Sequence, residues 1–340
     1  SGVHSVTPTG SSLTVVLDGN GAKDDLVTVT GDDSEDTTNY TLQGDMGTGG
    51  TNDKLTVDAS AENDAGAVTI DGSAITSGAL DLTGTSSGDT ITGGKADDTI
   101  SGLAGADIID LTQGGLDTLV LANVATIKAT ADTVTGFGTN DSIDIQATAA
   151  GEFADLHDAG GSGFTGANAA AVSTVNIAGG AADLVTTAAK VIAINADTSE
   201  LTKGYTDIAA LQTAVDGAAI TEEGTSVAFD DGGKLLIVWY DTDDDVYEVG
   251  IITVAGGNGF DGADETYESL LQIDDTYTTL ADVADSINYI AQQTRSSLGL
   301  LPRGPGCTRS GPFLCALWDQ LVHRETPLCA SAACYLKPFA

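Results

Sequence analysis

The sequence predicts a mainly-β protein in which short strands stack as a solenoid and are followed by a β-rich α+β domain. Three observations predict this fold: glycine accounts for 43 of 340 residues, only 5% are aromatic, and short β-prone runs alternate with Gly, Asp and Asn turns. With so few aromatic side chains, the core must be aliphatic. The absence of helical patterns between the early runs argues against a doubly wound nucleotide-binding fold.

Residues 1–82 form the first predicted region, which is β-rich. Turn residues separate runs that are rich in Leu, Val, Ile and Thr, a spacing typical of strands that follow one another directly. A solenoid or a sandwich satisfies this spacing. The runs are residues 13–17, 25–30, 54–58 and 67–71.

A nine-residue repeat fills residues 84–120 and is the most specific pattern in the chain. Its units are GTSSGDTIT, GGKADDTIS, GLAGADIID and, after a one-residue slip, TQGGLDTLV. Acid and aliphatic residues keep a fixed phase through all four units. The sixth position holds Asp89, Asp98, Asp107 and Asp117, and the eighth holds Ile91, Ile100, Ile109 and Leu119.

Each unit supplies one Gly-rich turn and one short strand, so two units make a coil with the aliphatic residues inside. Equivalent edges then recur every second unit, which stacks Asp89 with Asp107 on one edge and Asp98 with Asp117 on the other. We expect these carboxylates to lie over backbone carbonyls of the next turn. A hard cation would relieve their repulsion, and Ca²⁺ tolerates such irregular oxygen geometry. The glycines would provide positive φ and a close approach of backbone oxygens.

This stretch resembles the RTX (hemolysin-type calcium-binding repeat) family, although Thr85, Ala96 and Leu103 replace glycines of its pattern. The resemblance implies a parallel β-roll, type I secretion and Ca²⁺ held by the sixth-position aspartates. The alternative to a calcium site is an Asp/Gly-rich array of turns that binds no metal. The candidate metal-site residues are Asp89, Asp98, Asp107 and Asp117, with turn residues Gly84, Ser86, Gly93, Lys95, Gly102 and Ala104.

Later segments complete the predicted domain organisation. Residues 131–144 look like the strand and turn that close RTX rolls, so the roll and its cap span residues 83–149. Residues 150–171 are a Gly/Ala-rich linker. A C-terminal β-rich α+β domain follows at 172–294 and weakly resembles the C-terminal domain of type I-secreted surface proteins. Its predicted elements are strands at 190–195, 234–240 and 246–254 and a helix at 205–215.

Composition changes abruptly near residue 295. Residues 1–294 carry seven Lys, no Arg and 48 acidic residues, whereas residues 295–340 carry a net charge of +3 and all four cysteines. A cysteine-free acidic body is typical of an exported bacterial protein that is stabilised by something other than disulfides. The atypical basic tail is either a frameshifted or vector-derived end or a genuine small appendage.

The charge and the hydropathy restrict the partners. A formal net charge of −38 argues against binding nucleic acid or an anionic membrane surface and favours cations. The longest apolar run, residues 235–240, is far shorter than a transmembrane helix. We therefore expect no transmembrane segment.

Other chemical patterns are weak. Asp241, Asp243 and Asp245 have the phase of an EF-hand loop, but Val246 and Ile252 stand where that loop needs Gly and Glu, so an acidic hairpin turn is favoured over an accessory calcium site. A Gly-x-Ser-x-Gly string around Ser86 lacks the following helix of a hydrolase. The histidines are scattered and form no zinc-protease motif.

The first functional hypothesis is a non-enzymatic, calcium-stabilised extracellular protein of a bacterium that self-associates as a surface-layer, matrix or filament subunit. The first alternative is the secretion and folding module of a type I-secreted enzyme or toxin. The second alternative is a calcium-dependent adhesin that binds a cell-surface glycan.

Overall fold

A computed structural model gives the structure of the chain, which divides into two compact units, Ser1–Gln292 and Gln293–Ala340. The second unit, which contains the whole predicted tail at 295–340, lies outside the described residues, and so do residues 150–167 of the predicted linker. The described residues are 3–6, 10–18, 26–31, 38–45, 53–62, 66–121, 131–147, 168–169, 172–176, 181–182, 191–195, 204–217, 219–220, 234–253, 266–274 and 279–291.

The described part of the chain is mainly β, as the sequence predicts. Its first half contains thirteen strands in succession. They are β1 Val3–Val6, β2 Ser12–Asp18, β3 Leu26–Thr30, β4 Asn39–Asp45, β5 Lys54–Asp58, β6 Thr69–Ile75, β7 Ala79–Thr83, β8 Thr90–Thr92, β9 Thr99–Ser101, β10 Ile108–Asp110, β11 Thr118–Leu121, β12 Asp132–Thr135 and β13 Ser142–Ala147.

The second half mixes strands with two short helices. The predicted strand at 190–195, the helix at 205–215 and the hairpin at 234–254 all appear, with ends displaced by up to a few residues. The elements are β14 Asn168–Ala169, β15 Val172–Asn176, β16 Ala181–Ala182, β17 Val191–Asn195, α1 Ile208–Gly217, β18 Ala219–Ile220, β19 Lys234–Asp241, β20 Val246–Thr253, β21 Thr266–Asp274, α2 Leu280–Asp285 and β22 Ile287–Ala291.

Successive strands of the first half alternate between two sheets. The odd-numbered strands β1 to β13 are parallel neighbours in a nine-stranded sheet that continues through β22 to β14. The even-numbered strands β2 to β12 are parallel neighbours in an eleven-stranded sheet that continues through β21, β20, β19 and β17 to β15. Strands β16 and β18 form a separate parallel pair. Each strand therefore pairs with the strand two positions along the chain.

Strands from the region 172–294 extend the same two sheets. Strand β21 pairs in parallel with β12, and β22 pairs in parallel with β13. Residues 131–144, which were predicted to close the stack, form β12 and β13, and both strands have a neighbour on each side. The outer edges of β12 and β13 are therefore paired: Val134 lies opposite Ile273 and Ile143 opposite Ile287, so the buried aliphatic rows continue past these two strands.

One aliphatic core lies between the sheets and includes the eighth-position residues of all four repeat units, each at most 3% exposed. A second cluster surrounds Trp239, which lies in the apolar run of residues 235–240 and is fully buried. Residues of β19 alternate between the two clusters, so this strand is buried on both faces and reads as a continuous apolar run.

The two helices begin at polar caps. The Asp207 carboxylate accepts a hydrogen bond from the Ala210 N–H before α1, and the Thr279 hydroxyl accepts one from the Asp282 N–H at the start of α2. No helix within these described segments is long and apolar enough to cross a membrane.

Candidate functional site

The repeat turns place the sixth-position aspartates in two rows. Parallel pairing aligns Thr90 with Ile108 and Thr99 with Thr118, so the preceding aspartates of alternate units stack, as the repeat predicts. All four carboxylates are buried, with Asp89, Asp98 and Asp107 each 1% exposed and Asp117 2% exposed. We call these two sets of stacked carboxylates the aspartate rows.

Each row is longer than the repeat. Asp132 and Asp141, 2% and 7% exposed, occupy equivalent positions at the starts of β12 and β13. Both residues were missed by the sequence analysis, although each begins an Asp-x-aliphatic triplet like those of the four repeat units. The first row is Asp89, Asp107 and Asp132, and the second row is Asp98, Asp117 and Asp141.

Backbone N–H groups connect the members of the first row. The Asp89 N–H donates to Oδ1 of Asp107 at 2.8 Å, and the Asp107 N–H donates to Oδ1 of Asp132 at 3.0 Å. At the start of the row, Oδ1 of Asp89 accepts from the Val68 N–H at 2.7 Å. Each carboxylate thus satisfies a donor from the preceding coil that would otherwise be buried without a partner.

The second row repeats this pattern. The Asp98 N–H donates to Oδ1 of Asp117 at 2.9 Å, and the Asp117 N–H donates to Oδ1 of Asp141 at 2.8 Å. Oδ1 of Asp98 accepts from the Leu80 N–H at 2.8 Å. The backbone N–H of the aspartate before each short strand therefore donates a hydrogen bond to the carboxylate of the equivalent aspartate in the next coil.

The second carboxylate oxygen binds the turn of its own unit. Oδ2 of Asp89 accepts from the Thr85 N–H at 2.5 Å, and Oδ2 of Asp98 accepts from the Gly94 N–H at 2.6 Å. Oδ2 of Asp141 does the same with the Gly138 N–H at 2.6 Å. An asparagine could serve only one of the two donors, so this geometry alone requires aspartate at these positions.

The sequence did not predict which groups donate hydrogen bonds to the carboxylates. The donors are backbone N–H groups at both rows and, at Asp89, also the Thr85 hydroxyl, 3.0 Å from Oδ1. The reason is the short strand: the amide just before it points along the stack at the level of the next carboxylate. Direct acceptance of these hydrogen bonds offsets part of the cost of burying the charge.

The first-position glycines make room for the carboxylates. A Cβ atom on Gly84 would lie 2.3 Å from Oδ2 of Asp89, and one on Gly102 would lie 1.9 Å from Oδ2 of Asp107. At Gly93 the corresponding distance to Asp98 is 2.9 Å. The expected reason, positive φ, does not apply at these three positions, which are absent from the positive-φ residues of the described chain.

Positive φ occurs instead at other turn positions, at Gly114 and Gly115 in the fourth unit and at two residues of the third. Gly105 has φ 111°, and a Cβ there would lie 2.4 Å from the Ser87 carbonyl carbon. Leu103 also has positive φ, 69°, where the repeat pattern prefers glycine. A leucine in this region is strained, so the departure from the pattern is accommodated at an energetic cost.

Burial raises the pKa of three row members against the effect of their hydrogen bonds. For Asp98, burial is the main cause, opposed by the Leu80 and Gly94 N–H groups, and its pKa rises to about 6. For Asp117, burial and then the charges of Asp98 and Asp141 raise the pKa to about 7. Burial also raises the pKa of Asp89. The charges acting on Asp117 are all carboxylates, so nothing cationic among them stabilises its ionised form.

The remaining predicted metal-site residues lie in the turns. Gly84, Gly93 and Gly102 are buried, Ser86 and Lys95 are exposed, and Ala104 is half-buried. No group of three or more His, Cys, Asp or Glu side chains within the described segments is arranged to hold a metal ion. A cation at the rows would therefore combine the aspartates with backbone carbonyl or hydroxyl oxygens, which is donor chemistry that suits Ca²⁺.

The weaker sequence patterns fall on other features. Asp241 is buried, and its Oδ1 accepts from the Asp243 and Asp244 N–H groups at 2.9 and 3.2 Å, which closes an acidic hairpin turn between β19 and β20. Asp245 in this turn has φ 59°. Ser86 lies in an exposed turn that leads into β8, so it lacks the strand-to-helix setting of a hydrolase nucleophile.

Comparisons with known proteins give no family: no family model, no curated protein and no solved structure matches the chain.

Proposed function

We propose that this chain is a calcium-stabilised extracellular structural protein, a subunit of a bacterial surface layer, matrix or filament. The proposed fold of its repeat region is a parallel β-roll of the RTX type. The observation that carries the proposal is the pair of aspartate rows, six buried carboxylates at equivalent positions of successive coils. Their oxygens would hold Ca²⁺ together with oxygens of the turns.

Electrostatics supports the need for a cation. Stacked carboxylates repel one another, and the raised pKa of Asp117, which follows from burial and from its neighbours' charges, expresses the cost of ionising the row. At neutral pH that cost can be removed by protons or by a bound cation. A divalent ion that binds only the folded state also stabilises it by mass action.

Export supports calcium as the cation. Extracellular modules with oxygen ligands bind Ca²⁺ with dissociation constants of roughly 10⁻⁴ to 10⁻³ M. The acidic body, residues 1–294, would then remain expanded in a low-calcium cytosol because of self-repulsion and fold after secretion. A type I secretion route for an unfolded chain is part of this proposal.

The test compares the full chain in millimolar Ca²⁺ and in EGTA. We expect circular dichroism to report a gain of β structure with calcium, the hydrodynamic radius to fall, and electron microscopy to show ordered assemblies. Mg²⁺ and NaCl of equal ionic strength serve as controls, because screening alone cannot supply an ion to the aspartate rows. An identical radius and spectrum in EGTA and in calcium would contradict the proposal.

Two adjacent aspartates provide a matched pair of variants. Asp98 is buried in the second row, whereas Asp97 is exposed. We expect Asp98→Asn to weaken calcium binding at least about tenfold in calorimetry, and Asp97→Asn to change it by about twofold or less. Equal losses would mean that bulk acidity, not the rows, binds the ion. Ordered calcium-dependent folding without assembly would favour the secretion-module alternative.

A further inference from the structure

The two ends of the eleven-stranded sheet are open within the described part of the chain. Strand β2, Ser12–Asp18, has β4 as its neighbour, and strand β15, Val172–Asn176, has β17. A strand with one neighbour directs half of its backbone N–H and C=O groups away from the sheet. Both strands thus present donors and acceptors that another strand could use.

The two open strands run in the same direction. All pairs from β2 to β21 are parallel. The two antiparallel steps, β21 with β20 and β20 with β19, cancel each other. The pairs from β19 through β17 to β15 are again parallel. Consequently, β2 of one molecule placed beside β15 of another would continue a parallel sheet.

Neither open strand carries the features that normally block strand addition. Natural edge strands are protected by Lys, Pro, bulges or very short length. Strand β2 reads SLTVVLD and has a single charge, at its last residue, and β15 reads VSTVN and has none. Leu13, Val15 and Leu17 pack against the core, whereas Val16 is 69% exposed.

The nine-stranded sheet provides an internal contrast. Its last strand, β14, is only two residues long and lies antiparallel to β22. At its other end lies β1, which is parallel to β3. Pairing of β14 with β1 of another copy would therefore be antiparallel and short, so this sheet cannot be continued between molecules in its own parallel pattern.

We propose that copies of this chain associate head to tail, with β2 of one copy pairing in parallel with β15 of the next. This inference rests on the proposed structural-subunit function and names its partner, a second copy of the chain, and its contact. The two surfaces are different, so the contact is heterologous and repeats without closing unless the subunits curve into a ring. Association then extends the sheet along one axis.

Proline at Val16 tests the β2 surface. The Ser11 carbonyl accepts from the Thr38 N–H of the adjoining coil, and backbone groups alternate sides along a strand, so residue 16 points its N–H away from β4. Val16→Pro therefore removes a donor from the open edge alone. Val16→Thr, which keeps the N–H, is the matched control, and Val16→Lys provides a second blocking variant if the proline variant does not fold.

Proline scanning tests the β15 surface in the same way. Because backbone groups alternate, one of Ser173→Pro and Thr174→Pro removes an N–H from the open side of β15, and the other removes an N–H that faces β17. Ser173→Thr and Thr174→Ser, which keep the N–H, are the matched controls, and circular dichroism identifies the proline variant that disturbs the pairing with β17. Sedimentation velocity of each full-length variant, with reductant and millimolar calcium, measures association. We expect Val16→Pro, and one β15 variant, to raise the apparent dissociation constant at least about tenfold, and Val16→Thr to change it by about twofold or less.

Mixing the two blocked variants gives the decisive result. Each blocked variant retains one intact surface, so a one-to-one mixture should form heterodimers that grow no further, while wild type forms longer species. If wild type assembles and Val16→Pro and Val16→Lys assemble equally well, the head-to-tail contact is wrong and the structural function stands. If wild type stays monomeric in calcium, the structural-subunit function and this contact both fail.

Discussion

The repeat region, residues 84–147, and the hairpin region, residues 234–274, build the same eleven-stranded sheet in different ways. Strands β8 and β10 have three residues each, whereas β19, β20 and β21 have eight or nine. Strands β19 and β20 are buried along most of their length, and most of their buried side chains are apolar. The short strands each bury a single aliphatic residue.

The aspartate rows compensate for the shortness of the repeat strands. A carboxylate of one coil binds the amide of the preceding coil and, at Asp89 and Asp98, also an amide of its own turn. These hydrogen bonds fix the spacing of coils whose strands are too short to do so. The cost is a buried negative charge in every unit, and the hairpin region avoids this repeated cost.

The hairpin region has its own buried carboxylates, but they are confined to one end. Burial raises the pKa of both Asp241 and Glu248. The Glu248 side chain accepts a hydrogen bond from the Gln272 amide at 3.0 Å. These buried carboxylates of the hairpin region do not repeat from coil to coil. We therefore expect cations to change the stability of the repeat region more than that of the hairpin region.

The largest expected effect comes from filling the space next to a row carboxylate. Gly102→Ala would place a Cβ atom 1.9 Å from Oδ2 of Asp107 and force either the turn or the carboxylate to move. We expect the free energy of unfolding to fall by about 3 kcal/mol, the sum of an overpacking cost and a lost buried hydrogen bond. Thermal unfolding in calcium measures the change.

Gly138→Ala is the control for this variant. It lies next to Asp141 of the other row, but a Cβ there would lie at 3.6 Å from Oδ2, an ordinary contact. We expect a change of about 0.5 kcal/mol or less. Similar destabilisation by the two alanines would mean that the first-position glycines serve something other than space for the carboxylate.

The sequence predicts much of this region because the repeat has a fixed phase. The period alone correctly pairs alternate units and places Ile91 and Ile100 in the core. Asp132 and Asp141 were missed because the chain between Leu121 and β12 interrupts the nine-residue spacing. Both the Asp-x-aliphatic triplet and the nine-residue spacing, from Asp132 to Asp141, resume after this interruption.

The order of the later strands could not be predicted from the sequence. The apolar run of β19 correctly indicates a buried strand, but nothing in it specifies that β21 pairs with β12, or β22 with β13. These contacts join residues more than a hundred positions apart. The pairing places a buried aliphatic residue of one strand beside a buried aliphatic residue of the next, as Val134 lies beside Ile273. Any strand with an aliphatic residue at that position could meet this requirement.

The second-largest expected effect is a dependence of stability on pH that arises from the buried carboxylates of the repeat region. In the calcium-free chain, the pKa values of Asp98, about 6, and Asp117, about 7, exceed the ordinary value of 3.8. Between pH 3.8 and about pH 7 the folded state therefore binds more protons than the unfolded state. The free energy of unfolding falls as the pH rises through this range. We expect the protein to be more stable at about pH 5.5 than at about pH 8 by on the order of 2 kcal/mol.

Calcium should reverse this trend in the repeat region, because protons and the ion compete for the same oxygens. Hydrogen exchange reports each region separately: protection of the Leu80 and Asp98 amides, which donate to row carboxylates, is compared with that of the Val249 amide in β20. With calcium, acidification should deprotect the first two amides more than the third. A uniform response across all three would contradict the proposed difference between the regions.

The smallest expected effect concerns the strained turn of the third repeat unit. Leu103 has φ 69°, a conformation that asparagine adopts at lower cost than leucine. Leu103→Asn should therefore raise the free energy of unfolding by about 0.5–1 kcal/mol. Leu116→Asn is the control, since Leu116 is 54% exposed in the fourth unit and has no positive φ. Chemical denaturation in calcium measures both variants, and if Leu103→Asn gains no more stability than Leu116→Asn, relief of backbone strain at position 103 is excluded as a source of stability.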